Sequence, residues 1–314
     1  MGQASSRDAG SVLPDRGPLT HRIMLAFRAT RPFSFPCSVM PVLVATAAVR
    51  PIGEWLWGRF AASLVAVLGV HICANLLNDY FDFMSGLDVE EDGFTGRPGR
   101  MLVSGEIKPG QVLSGALAAL AVSFAAIACL AVRAGPLVFV FYALAVAGAY
   151  SYTAPPIKLK SRALGEVAML VYFGPVIMGG TAFAQVGRIP LPVLLLSVPM
   201  GLAVTHILTG NNLRDFDEDA AGGARTLAHV IGRRGTAALY WALALICAFG
   251  VAAIGLAYGV SLLALSVLAL LTIVTPLRAV LKGRRLPDID ARTAKFNLAL
   301  GLITTAALII SGGI

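Results

Sequence analysis

Asn75-Leu-Leu-Asn78-Asp79-Tyr-Phe-Asp82-Phe-Met-Ser-Gly86-Leu-Asp88 sets carboxylates at the end of a long apolar run, where ionisable groups are costly and therefore functional candidates. A second apolar run, about 130 residues later, ends in Asn211-Asn212-Leu-Arg214-Asp215-Phe-Asp217-Glu218-Asp219. Residues three and four apart share a helix face. Asn75, Asn78, Asp79 and Asp82 therefore form one polar stripe, and Asn211, Asn212, Asp215 and Asp219 form another. Both stripes offer hard oxygen ligands. Mg²⁺ prefers these, and it usually keeps several waters while bridging one or two carboxylates to substrate phosphates. Two such clusters at helix ends, facing one another across a cavity, predict a diphosphate held between metal ions.

The rest of the chain reads as the frame that holds them. Of 314 residues, 57% are hydrophobic and 13% charged, too apolar for a soluble domain of this length. The composition predicts an all-α, polytopic membrane helix bundle in contact with lipid. Cys37, Cys73, Cys129 and Cys247 each lie in an apolar stretch without CxxC spacing, which argues against a disulfide framework or a zinc site and for packing roles. A formal net charge of +8 raises nucleic acid as a partner. The basic residues are scattered among loops and form no contiguous basic domain, so nucleic acid is not expected.

Residues 1–21 are polar and read as a disordered tail, followed by a single membrane domain over 22–314. A helix needs about 20 apolar residues to span a bilayer. Nine segments are marked on that basis: 33–50, 57–83, 110–132, 136–152, 164–186, 190–212, 236–257, 259–281 and 294–312. Of the 25 Lys and Arg, 21 fall on the side of the N-terminus, and only Arg50, Arg59, Arg133 and Arg188 fall on the other. By the positive-inside rule the N-terminus and both acidic clusters are cytoplasmic. With an odd number of spans the C-terminus lies on the far side. The cytoplasmic face also collects 11 of the 17 Asp and Glu, in the two stretches 79–106 and 215–219, where a water-soluble diphosphate headgroup would arrive. Trp55 and Trp57 flank the opposite interface, as an aromatic belt does.

A third polar segment, Tyr150 to Glu166, contains Lys158, Lys160 and Arg162. A lysine ammonium there can pair with a diphosphate oxygen as a compact point charge, although orientation alone also accounts for basic residues in a cytoplasmic loop. Arg292-Thr293-Ala-Lys295-Phe-Asn297 opens the last segment and by itself reads as topogenic. His71 and His206 precede the two clusters and read first as packing histidines, second as acceptor-binding groups.

These stretches together resemble the UbiA-type intramembrane prenyltransferases, in the branch that prenylates 1,4-dihydroxy-2-naphthoate for menaquinone. The resemblance runs from Arg31 to the last span. It is carried by Arg31-Pro32-Phe-Ser-Phe-Pro with Pro41, Asn78-Asp79-Tyr80-Phe-Asp82 with Gly86-x-Asp88, and Arg100 with Gly105. Leu159-Lys160 with Leu164-Gly165-Glu166, Asn211-Asn212-x-Arg214-Asp215 with Asp219, Gly223 and Thr226-Leu227, and Arg292-Thr293-Ala-Lys295-x-Asn297 complete it. Gly86 followed by Asp88, where many UbiA-type enzymes have a further Asp four residues after the one matching Asp82, looks like the naphthoate branch. One departure stands out. Where the bacterial naphthoate enzymes usually carry Gly-Lys-x-Thr, this chain has Gly223-Ala224-Arg225-Thr226, with Arg225 displaced to another helical face.

The resemblance implies that Asn78 and Asp82 hold one Mg²⁺ and Asp215 and Asp219 another. Asp79, Asp82, Asp215 and Lys160 would be the catalytic group. Asn75, Asp88, Arg100, Lys158, Asn211, Arg214, Arg225, Lys295 and Asn297 would bind a polyprenyl diphosphate and the aromatic acceptor. The implied reaction ionises the diphosphate to an allylic cation, which the dihydroxynaphthoate attacks with loss of CO₂, giving a demethylmenaquinone at a bacterial inner membrane. Two rivals share the ionisation chemistry: prenyl transfer to another aromatic acceptor, and terpene cyclisation. A transporter is a third reading, but transporters place ionisable groups near the bilayer midplane, whereas these cluster at one interface.

Overall fold

The structure, a computed structural model, describes residues 19–50, 56–86, 100–221, 223, 225–284 and 286–314, without the side chains of residues 19, 22 and 100. Asp88, Trp55, Ala224 and the Arg100 side chain therefore lie outside the described residues. Among those described, the regular elements are all helical. They are α1 (Leu19–Ala29), α2 (Pro36–Ala48), α3 (Trp57–Met84), α4 (Arg100–Val103), α5 (Pro109–Ala134), α6 (Val138–Thr153), α7 (Gly165–Val171), α8 (Ile177–Val186), α9 (Leu191–Arg214), α10 (Phe216–Ala221), α11 (Leu227–Ala257), α12 (Val274–Leu281) and α13 (Ile289–Ser311). Helix α1 begins at Leu19, just inside the stretch assigned to the tail.

The expected nine spans are not matched by nine full-length helices. Among the described residues, six helical segments are long and apolar enough to cross a membrane: α3, α5, α7 to α8, α9, α11 and α13. A seventh counts if the 3₁₀ segment Ser261–Thr272 and α12, bent by 54° against each other, make one span. Helix α2, with 13 residues, and α6, with 16, reach only about 20 and 24 Å at 1.5 Å per residue. A hydrocarbon core is about 30 Å thick. Hydropathy reports apolar length, whereas helical rise decides how far that length reaches. The start of the first segment falls in the 3₁₀ turn Pro32–Ser34 and the turn at Phe35, and its last residues, 49–50, are a turn, so neither end adds to the helix.

Small residues let the helices approach closely, the usual device where lipid supplies no hydrophobic drive between helices. A Cβ on Gly69 of α3 would stand 2.7 Å from the Ala119 carbonyl oxygen of α5, and one on Gly201 of α9 would stand 2.5 Å from that of Leu170 in α7. Between α7 and α8 the helix widens into a π turn at Tyr172–Val176 containing Pro175. Proline has no N–H to give to the preceding turn, and an extra residue is absorbed there. The main core lies among α2, α8, α9, α11 and α13, around Met40, Met178, Met200, Tyr240 and Phe296.

Arg50 and Arg59 close helix ends. Arg50 donates to the Ile309 carbonyl at 2.7 Å, and Arg59 donates to Gln185 at 2.8 Å and to Ala184 and Arg133 at 3.2 Å. Each places a cation on C-terminal carbonyls, where the helix dipole favours it. Three of the four free cysteines are buried, as packing residues should be, and Cys129 is exposed.

Candidate active site

Helices α3, α5, α6, α7, α8 and α9 surround a cavity of about 640 Å³. Its mouth is polar. Asn75, Asn78 and Asp82 enter from α3, Lys160 from the short 3₁₀ turn after α6, and Asn211, Asn212, Asp215 and Asp219 from α9 and α10. Its depth is apolar, lined by Val67, Val70, Ile127, Leu130, Val138 and Phe141, among others. The two clusters, distant in sequence, do face one another. Asp82 and Ser63 of α3 both line the cavity, and their separation of 19 positions amounts to about 28 Å of helix.

At the first cluster, Lys160 Nζ donates to Asn78 Oδ1 at 2.7 Å and to the Asp82 carboxylate oxygens at 2.5 and 2.6 Å. Three oxygens thus converge on one cation. That donor set fits Mg²⁺, whose ligands are hard oxygens, and the ammonium marks where positive charge is wanted. Among the described residues no three His, Cys, Asp or Glu converge at this mouth. Two carboxylates or carboxylate–amide pairs that share metal with substrate phosphates are compatible with it.

At the second cluster, Arg214 grips Asp215 through Nε and Nη2, both at 2.7 Å, and reaches Asp290 of α13 through Nη1 at 2.7 Å. Each Asp215 oxygen keeps a further lone pair. Asp219, one turn on, has its carboxyl pushed up to about 6, chiefly by burial and then by the Asp215 charge. A bound divalent cation would relieve both. Asn211 Oδ1 is buried without a partner, an acceptor waiting for a donor or a metal. The neighbouring Asn212 is held by Glu166 at 2.8 Å, a carboxylate buried at the start of α7.

Several expected site residues lie elsewhere. Asp79, on the same stripe by spacing, is buried and paired with Arg31 and does not line the cavity. Arg214 touches Asp215 without lining it. Lys158, Lys295 and Arg225 are outside the lining as well, the last two exposed. Asn297 is buried with both amide atoms unpartnered, in the helix that packs against α9, away from the cavity. His206 is buried against Tyr240 and Phe296. Conversely, Arg31, Ser34, Ser38, Tyr152, Tyr172 and Phe173 line the cavity and were not assigned roles from sequence, and His71, read there first as a packing histidine and second as an acceptor-binding group, lines it too. His71, Asn75, Asn78 and Asp82 share one helical spacing, so the stripe that marks the carboxylates extends to the histidine.

Residues 38–301 match the UbiA prenyltransferase family model. The chain belongs to the UbiA prenyltransferase family. It is a prenyltransferase. A 1,4-dihydroxy-2-naphthoate octaprenyltransferase of Mycobacterium leprae is 31% identical over 90% of this chain and 96% of its own length. The human UbiA prenyltransferase domain-containing protein 1 is 30% identical over 90% and 82%. Among solved structures, a UbiA homolog from Aeropyrum pernix superposes with TM-score 0.65 at 21% identity over 88% of this chain and 97% of that one. One from Archaeoglobus fulgidus, bound to GPP and Mg²⁺, superposes with TM-score 0.63 at 17% identity over 91% and 99%. The expected UbiA-type fold is therefore borne out.

Proposed function

We propose that this prenyltransferase transfers a polyprenyl group from an allylic diphosphate to 1,4-dihydroxy-2-naphthoate, with Mg²⁺ and with loss of CO₂, giving a demethylmenaquinone. The observation that carries the reading is the cavity itself, with two carboxylate clusters at one polar mouth above an apolar shaft. A diphosphate belongs at the mouth and its isoprenoid chain in the shaft. The relatives named for naphthoate prenylation support the acceptor.

Asn78 and Asp82 would hold one Mg²⁺, and Asp215 and Asp219 the other. Bound metal stabilises the charge that builds on the leaving diphosphate. Lys160, whose ammonium lies on Asp82, would pair with a diphosphate oxygen, and Arg214 holds the Asp215 carboxylate in orientation through its bidentate contact. The apolar walls keep water from the allylic cation. Arg31 holds Asp79 and leaves the cavity-facing positions to Asn78 and Asp82. Arg100 and Asp88 belong to the same reading as diphosphate-side groups. The same proposal sets the enzyme in a bacterial inner membrane, as one domain over 22–314, with the N-terminus and the mouth cytoplasmic, a reading supported by the split of Lys and Arg between loops.

The test is product chemistry. With carboxyl-labelled dihydroxynaphthoate, polyprenyl diphosphate and Mg²⁺, one labelled CO₂ should appear per diphosphate released, and diphosphate release without acceptor should be negligible. Rapid acceptor-free release with a cyclic hydrocarbon product, or prenylation of 4-hydroxybenzoate with its carboxylate retained, would overturn the acceptor assignment.

A further inference from the structure

Below the metal-side residues, the shaft carries a polar cluster that diphosphate binding leaves unused. His71 lies seven residues before Asn78 on α3, about 10 Å deeper along the helix, between the rings of Phe35 and Phe173. Its Nδ1 is 2.6 Å from Ser38 Oγ and its Nε2 is 3.1 Å from Ser34 Oγ. All three residues line the cavity.

Counting protons assigns the donors. Ser34 has one hydroxyl proton and gives it to the Arg31 carbonyl at 2.7 Å. It also accepts from Asn75 Nδ2 at 3.2 Å. Ser34 can therefore only accept from His71, which puts the imidazole proton on Nε2. A neutral imidazole with Nε2–H has Nδ1 as acceptor, so Ser38 donates to it. Ser34 Oγ is then saturated with one donated and two accepted bonds. Ser38 Oγ, in contrast, has donated its proton and keeps its lone pairs at the cavity wall. A buried hydroxyl in that state is an acceptor suited to an incoming O–H.

We propose that Ser38 and His71 form a proton-relay dyad for the hydroxyl of the aromatic acceptor, an inference that rests on the prenyl-transfer reading above. The acceptor's O–H donates to Ser38 Oγ, and Ser38 passes its own proton to His71 Nδ1, giving an imidazolium whose Nε2–H stays on Ser34. The arene oxygen pushes its electron pair into the ring. The ring carbon that bears the carboxylate forms a bond to prenyl C1, whose bond to the diphosphate oxygen breaks with both electrons going to the diphosphate. Loss of the carboxylate as CO₂ returns its electron pair to the ring and leaves the oxygen anionic. The oxygen takes the proton back from His71 through Ser38, yielding the prenylated quinol. The dyad lends one proton and recovers it, so no net acid or base is consumed. Asn75, by holding Ser34 as an acceptor, is a positioning residue for the imidazole tautomer. Phe35 and Phe173 hold the imidazole ring edge to face, so its orientation is set before the arene arrives.

The test compares full-length wild type with Ser38→Ala and His71→Gln on 1,4-dihydroxy-2-naphthoate and on its two mono-O-methyl ethers, with geranyl diphosphate as donor. General base assistance contributes about 10²–10⁴-fold. In wild type, blocking the hydroxyl that meets Ser38 should lower kcat/KM by about 100-fold or more relative to the free quinol. In Ser38→Ala that ratio should collapse to within a few fold. His71→Gln can still accept a hydrogen bond from Ser38 but cannot take its proton. It should therefore keep the acceptor's KM and lose kcat. Donor KM should stay within a few fold in both variants, which shows that the cavity is folded. The proposal is overturned if the methyl-ether ratio in both variants equals that of wild type, or if the donor's KM rises while the acceptor's kinetics hold. If wild type refuses the naphthoate but prenylates 4-hydroxybenzoate, the preceding reading fails by itself. The dyad is then judged by the same ratio on that phenol and its methyl ether.

Discussion

Replacing Lys160 by Met should move metal binding and catalysis in opposite directions. In the structure, the ammonium occupies the space where Asn78 Oδ1 and both Asp82 oxygens converge, at 2.5 to 2.7 Å. Metal must displace it. A hydrogen bond to a charged group is worth about 1.5–3 kcal/mol. Three of them share one ammonium here, and the two side chains are 21% and 18% exposed, so solvent offsets much of the attraction. A net of about 1.5 kcal/mol is the consistent figure, or roughly tenfold in affinity. Lys160→Met should thus bind Mn²⁺, used as a spectroscopic stand-in for Mg²⁺, about tenfold more tightly than wild type when no diphosphate is present. Turnover should nevertheless fall by about 10²–10³, the usual cost of losing one group aimed at developing charge. The assay is a Mn²⁺ titration followed by paramagnetic resonance, set beside steady-state prenyl transfer. Mn²⁺ affinity equal to or weaker than wild type, together with turnover within a few fold, would refute the reasoning, because Lys160 would then neither compete with metal nor serve the diphosphate.

Three further outcomes follow from particular contacts. Chelator should abolish prenyl transfer, and Asp82→Ala and Asp215→Ala should each lower it at least 10²-fold while the protein still inserts; either variant turning over at the wild-type rate would contradict the metal assignment. Because the Asp219 carboxyl is raised to about 6, it holds its proton below that pH, and metal must displace the proton. Affinity for Mg²⁺ should therefore weaken as pH falls through 6 and level off above it, with proton release on binding measured calorimetrically in buffers of different ionisation heat. Gly201→Ala would drive a methyl against the Leu170 carbonyl at 2.5 Å and the Gly174 backbone at 3.0 Å; overpacking of this kind costs about 1–3 kcal/mol, and the thermal midpoint in detergent should drop, whereas Gly58→Ala, with open space around it, should leave it unchanged.

The sequence by itself determined the class of molecule and the chemistry at its mouth. Apolar runs report membrane helices because a buried backbone in lipid must bond to itself. Carboxylates ending two of those runs report a polar site because charge at that depth is otherwise unfavourable. Asn78, Asp82, Asp215 and Asp219 were legible for that reason, whereas Lys160 was singled out only through the family resemblance. Tertiary structure decided which members of each stripe face the cavity. Asp79 has the right spacing, yet Arg31, 48 residues earlier, turns it into a buried ion pair, and Arg214 is claimed by Asp215 and by Asp290 from the far end of the chain. The number of full-length spans was also a tertiary matter. Hydropathy counts apolar residues, while turns and the bend before α12 determine how many of them stack along one helix axis. Ser34 and Ser38 were illegible altogether, since two serines near the start of a short apolar helix differ from any others only once folding brings them to the two nitrogens of His71.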